Sequence, residues 1–153
     1  MTTKIVNNKS NTISDQALLK QAIKALKLSY SPYSQFSVGA AILTSRNKIF
    51  LGTNIENASY PLCICAERTA ISNYHVHDPK ATMKAIAIIS ASKVHPNDRH
   101  VYPCGACRQV IAEFESKQKR PIKIILGALN SKEIIVYNSI HELLPYSFDR
   151  SWL

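Results

Sequence analysis

Apolar residues recur at helical spacing through Leu18, Leu19, Ala22, Ile23 and Leu26, just behind Ser14, a residue able to cap a helix start. The Ser31-Pro32-Tyr33-Ser34 stretch stops this helix, because proline disfavours helical backbone at the residue before it. Val38–Leu43 and Lys48–Thr53 read as two strands joined by a short polar turn, a hairpin. A second helix is expected from near Cys65 to about Tyr74. The compact apolar run Ala85–Ser90, with Ile86, Ile88 and Ile89, reads as a buried strand. A loop holding Pro96 and Pro103 then leads into a third helix, about Ala106–Glu115.

Two more strands follow, Ile122–Leu126 and Glu133–Tyr137. About six residues join them, fewer than the dozen a parallel crossover needs, so they are expected to be antiparallel. Ser139-Ile140-His141-Glu142 has the spacing of a capping box, which predicts a short final helix ending at Pro145. The sum is one α/β domain over residues 14–153, a three-layer α-β-α arrangement around a five-stranded mixed sheet. Residues 1–13 are polar and read as a flexible segment.

Composition narrows the function classes. A chain of 153 residues with 46% hydrophobic and 19% charged residues has the makings of a globular domain with a real core. No apolar run approaches the roughly 20 residues of a membrane span, and no signal-peptide pattern opens the chain. A cytoplasmic setting is expected, where clustered thiols stay reduced and bind metal or catalyse. The net charge of +9 suits nucleic acid, but the cations are scattered. Their one dense run, Lys117 to Arg120, falls at an expected helix end, where cations complement the helix dipole. No nucleic-acid partner is expected.

The chemistry-bearing feature is Cys65-Ala66-Glu67, followed 36 residues on by Pro103-Cys104-Gly105-Ala106-Cys107. Both segments fall at expected helix starts, where free N–H groups favour the thiolate that binds metal. Two residues between Cys104 and Cys107 let both sulfurs meet one ion. With Cys65 that makes three ligands for Zn²⁺, one ion per chain, and leaves a fourth position for water. Glu67, two residues past a ligand, can face that position and move protons. Two other readings stay open at this point: a Cys-x-x-Cys redox pair, and a closed structural zinc site with Cys63 as fourth ligand.

On these residues the chain resembles the small homotetrameric cytidine deaminases, from about Ala17 to Phe148. The likeness also rests on Ser31-Pro32-Tyr33-Ser34 with Phe36, Val38-Gly39-Ala40-Ala41, Gly52-Thr53-Asn54-Ile55-Glu56-Asn57-Ala58, Tyr60, Arg68-Thr69-Ala70-Ile71, Arg108-Gln109 and Leu143-Leu144-Pro145. The resemblance implies hydrolytic deamination of cytidine and deoxycytidine to uridine and deoxyuridine in pyrimidine salvage, by zinc-activated hydroxide with Glu67 as proton shuttle. It implies that Asn54 and Glu56 bind the sugar hydroxyls and that Phe36 packs on the pyrimidine. Asn57, Ala58 and Ala66 join them as substrate-binding residues. Tyr60 and Phe148 would come from a neighbouring subunit of a homotetramer to close the pocket. Arg68 would hydrogen-bond ligand sulfurs and offset the excess negative charge of three thiolates on one Zn²⁺.

Plainer roles remain for several of these: core packing for Phe36, a polar strand end for Asn54 and Glu56, a C-terminal anchor for Phe148, an exposed helix arginine for Arg68. Two residues depart from the family pattern. Tyr102 stands before Pro103 where a small residue is usual, so that wall of the site is expected to differ, and Cys63 is an additional thiol. Rival functions are deamination of another small cytosine compound such as blasticidin S, a polynucleotide deaminase, and a non-catalytic zinc module. Polynucleotide deaminases usually carry histidine at the position of Cys65 and join the last two strands by a helix.

Overall fold

The computed structural model describes residues 13–153. The flexible segment expected over 1–13 therefore lies, apart from Ile13, outside the described residues. The chain runs α1 (Asp15–Leu26), β1 (Phe36–Thr44), β2 (Ile49–Thr53), α2 (Ala66–His77), β3 (Met83–Ser92), α3 (Gly105–Gln118), β4 (Lys123–Gly127) and β5 (Ile134–Tyr137). Short 3₁₀ turns occur at Tyr60–Leu62, Ile140–Glu142 and Arg150–Trp152. Ser14 caps α1 by accepting a hydrogen bond from Ala17 N at 3.2 Å. Among the described residues no helix is long and apolar enough to cross a membrane.

The five strands form one sheet in the order β2-β1-β3-β4-β5. Only β3 and β4 run parallel, with α3 as their crossover and Ile86 beside Ile124. The other pairs are antiparallel: Ala41 opposite Leu51, Ala41 opposite Ala87, and Ile125 opposite Val136. The expected antiparallel pairing of the last two strands holds.

Strand alternation divides the core in two. Ala40, Ile42, Ile86, Ile88, Ile124 and Leu126 face α2 and α3, meeting Ala70, Ile71, Tyr74 and Ile111. Ala41, Leu43, Ala85, Ala87, Ile89 and Ile125 face α1, meeting Leu18, Leu19 and Ala22. That is the three-layer α-β-α architecture. Two glycines allow the helices to approach. A Cβ on Gly39 would lie 2.1 Å from Ala22 O on α1, and one on Gly52 would lie 2.2 Å from Ala70 N on α2.

Element ends differ from expectation where tertiary contacts act. β3 extends to Met83 and Ser92 because β1 pairs along its whole length. The final helix is only the 3₁₀ turn Ile140–Glu142, although its capping box is present as predicted. Glu115 of α3 accepts from Ser139 Oγ and from Ile140 N at 3.2 Å, which pins this turn to α3.

Candidate active site

Two helix starts meet beside one end of the sheet. Cys65 is the N-cap of α2 and Cys104 the N-cap of α3; both have extended backbone, and neither side chain caps its helix. Their sulfurs are thus turned elsewhere, toward each other, 3.9 Å apart. Cys107, one turn further along α3, is buried and brings the third sulfur, so that all three lie within 4.8 Å of one another. Two sulfurs each about 2.3 Å from one tetrahedral ion would lie about 3.8 Å apart, so the spacing and the donor set fit Zn²⁺. Cys63 stays outside this group: its sulfur accepts from Asn57 N at 3.2 Å. The closed four-sulfur site is therefore not formed.

The thiols polarise one another. Cys65 is pulled down to about 5, first by its hydrogen bond with Cys107, then by Arg68 and Cys104, against burial. Cys107 is pushed up by that same hydrogen bond and by burial. The neighbouring thiols and Arg68 thus favour the thiolate at Cys65, the form that binds metal. Arg68 reaches back one turn of α2 and places Nη2 3.9 Å from Cys65 Sγ and 3.4 Å from Cys63 O. Its Nε is buried with no partner. Arg68 thus lies beside the Cys65 sulfur, half-buried rather than an exposed helix arginine.

A cleft of about 440 Å³ opens beside the sulfurs and is lined by Phe36, Asn54, Glu56, Cys65, Ala66, Glu67 and Cys104, among others. Glu67 is only 5% exposed. Burial raises its carboxyl above the usual range, and the charge of Cys65 adds to the rise. A carboxyl raised in this way holds a proton more readily than an ordinary exposed carboxylate.

In the same cleft, polar contacts hold Asn54 and Glu56. The Asn54 carbonyl accepts from Ser29 Oγ at 2.6 Å and from Val38 N at 2.8 Å, while Nδ2 donates to Phe36 O at 2.8 Å. One amide N–H is left for a ligand. Glu56 accepts from Ser34 Oγ, from Tyr33 N at 2.9 Å and from Ser34 N at 3.3 Å. The Ser34 hydroxyl, followed by these backbone groups, holds the Glu56 carboxyl below the usual range.

Asn57, Ala58, Tyr60 and Phe148 do not line this cleft. All four are exposed, Tyr60 by 66% and Phe148 by 61%. Residues that line it without having been singled out as binding include Ser34, Ile64 and Val101. Ser34 was legible as part of a helix-stopping stretch and of the family resemblance, though not as a binding residue, and nothing local marks Val101.

Residues 12–120 match the family model "Cytidine and deoxycytidylate deaminase zinc-binding region". The cytidine deaminase of Halalkalibacterium halodurans is 43% identical over 133 residues, 87% of this chain and 92% of its own. That of Sporosarcina psychrophila is 38% identical over 135 residues, 88% of this chain and 91% of its own. The crystal structure of cytidine deaminase from Burkholderia pseudomallei superposes with a TM-score of 0.75 at 37% identity, covering 88% of this chain and 99% of that one. The chain belongs to the cytidine and deoxycytidylate deaminase family, as a zinc-dependent hydrolase of its cytidine deaminase branch.

Proposed function

We propose that this protein converts cytidine and deoxycytidine to uridine and deoxyuridine, releasing ammonia, as a step of pyrimidine salvage. The observation that carries the reading is one cleft lined by a buried glutamate, two sulfurs of the three-sulfur group and a hydrogen-bonded carboxylate. Cys65, Cys104 and Cys107 would hold the metal. Bound there, Zn²⁺ supplies the Lewis acidity that makes water a nucleophile near neutral pH. Glu67 takes a proton from the attacking water and passes it to N3 of cytosine, which makes C4 electrophilic. It then takes the remaining proton from the hydroxyl added at C4 and delivers it to the amine, which leaves as ammonia as the C4=O bond forms. Ala66 lines the cleft beside Glu67, and the Phe36 ring bounds the pyrimidine.

In the same cleft, the ionised Glu56 and the free N–H of Asn54 take the sugar hydroxyls. Tyr60 and Phe148 complete the pocket from a neighbouring copy in a homotetramer, and Asn57 and Ala58, on the same exposed stretch as Tyr60, are further substrate-binding residues. The substrate is a free nucleoside rather than a polynucleotide, which accords with Cys65 at the first ligand position and the β4–β5 hairpin. A reducing, cytoplasmic setting suits the site, since oxidation of sulfurs this close together would remove the ligands.

Ultraviolet absorbance with cytidine, deoxycytidine, cytosine and cytidine monophosphate in parallel tests the proposal. Both nucleosides should turn over, and free cytosine should be a poor substrate. Glu67→Gln should lower kcat by about 10²-fold or more while zinc stays bound. Near-normal turnover by that variant would defeat the mechanism.

A further inference from the structure

Tyr102 lines the same cleft as Glu67, Cys65 and Cys104. It stands two residues ahead of a sulfur that holds the metal, and its surroundings keep it in place from both ends. Pro103 confines the Tyr102 backbone to extended conformations. Pro103 is itself buried, and its carbonyl accepts from Arg108 Nε at 2.8 Å. Arg108 is tied in turn through Nη1 to Leu143 O at 3.0 Å. At the side-chain end, the Tyr102 ring lies 6.2 Å from the Tyr137 ring of β5, tilted by 59°. The two hydroxyls are 3.5 Å apart. Tyr102, 41% exposed, thus lines the cleft with its backbone restrained and its ring against Tyr137, contacts that a movement of the side chain would give up.

The consequence follows from where the reacting ring must go. Its C4 has to come within reach of Glu67 and the sulfurs. N3 is then turned toward Glu67, and the amine on C4 needs an exit. The remaining neighbour of C4 is C5, which is left facing the wall of the metal end. We infer that Tyr102 is a specificity-determining residue, whose ring closes the space beside C5 and so admits unsubstituted cytosine nucleosides while refusing those enlarged at that carbon. This rests on the cytidine deamination proposed above.

The test compares kcat/KM for cytidine and 5-methylcytidine in the wild type, Tyr102→Ser and Tyr102→Phe. The ratio within each enzyme cancels any loss of folded protein. Its change between enzymes cancels the electronic effect of the methyl group. The wild type should prefer cytidine, and Tyr102→Ser should narrow that preference by about tenfold, the lower end of what one carbon is worth in an apolar pocket. Tyr102→Phe, which keeps the ring, should stay within about twofold of wild type on the same scale. An unchanged ratio in Tyr102→Ser overturns the inference, and a Tyr102→Phe ratio equal to that of Tyr102→Ser overturns its steric basis. A wild type inactive on cytidine would instead overturn the function on which it depends.

Discussion

At the scale of single residues, Glu56 illustrates how a side chain can be committed to one charge state. Its carboxylate receives the Ser34 hydroxyl and two backbone N–H groups, all of which favour the ionised form. A carboxyl lowered in this way contributes stability above its unfolded value, and the contribution disappears as pH falls through the lowered folded value. Ser34→Ala removes the largest of these causes. The Glu56 titration should then move up, toward the ordinary carboxylate range, so that its charge is lost at a less acid pH. Nuclear magnetic resonance of the side-chain carboxyl carbon would follow it, and an unmoved titration would show that Ser34 has no part.

Asn54 carries a double burden. It stitches β1 to the segment after β2 through Val38 and Phe36, and only one side-chain N–H remains for the proposed sugar contact. Asn54→Ala would therefore disturb fold and binding together. Glu56→Gln is the cleaner probe of sugar recognition, because it keeps the shape and removes the charge.

At the scale of elements, the site depends on how closely α2 lies on the sheet. Ala66 O and Ala70 N of α2 stand 2.4 and 2.2 Å from where a Cβ on Gly52 would be. Both are backbone atoms and cannot rotate away. Gly52→Ala should push α2 outward, and with it Cys65 and Glu67. The expected cost is about 1–3 kcal/mol of stability, as for other overpacked positions, together with weaker zinc retention. Gly105→Ala is the control, since nothing lies within 4 Å of its would-be Cβ and its φ is not positive. Its stability should change by less than about 0.5 kcal/mol. Calorimetry on both variants decides the point, and equal melting temperatures would refute the close-packing argument.

These elements also show what a linear pattern can carry. The helix starts near Cys65 and Cys104 were legible because proline and apolar spacing are local signals. The length of β3 was not, because its ends are set by a partner strand far away in sequence. The last helix was overestimated for the same kind of reason. Its capping box is local and real, while its extent is limited by the anchor of Ser139 and Ile140 on Glu115.

At the scale of the whole molecule, metal and fold should be linked. An ion that binds the folded chain and not the unfolded one stabilises it by mass action. Dialysis against a chelator should lower the melting temperature and abolish deamination, and one equivalent of Zn²⁺ per chain should restore both. A melting temperature indifferent to the chelator would mean that the three sulfurs do not hold the ion. Because the ligands must be thiolates, zinc should also be lost more readily in acid.

The exposed apolar side chains point outward from this chain. Tyr60, Leu62, Phe148 and Trp152 are all well over half exposed, and the Phe148 backbone is held by Gln109 Nε2 at 2.7 Å. With the proposed homotetramer, Phe148→Ala should reduce kcat/KM for cytidine while zinc content stays at one per chain. Sedimentation should give the mass of four chains. A fully active single chain would remove the assembly from the account.

The sequence by itself determined the chemistry: three thiols, a glutamate two residues after the first, and two helix starts whose dipoles favour thiolate, all within short windows where local spacing governs geometry. It also determined the sheet's last antiparallel pair, because six residues cannot cross over. Only the tertiary structure decided which sulfurs share a site. Cys63 is two residues from Cys65, yet its thiol is turned to Asn57, while Cys104, 39 residues away, comes within 3.9 Å. Proximity along the chain says nothing of direction once backbone dihedrals turn a side chain away, and only packing of α2 and α3 on one sheet face brings distant sulfurs together.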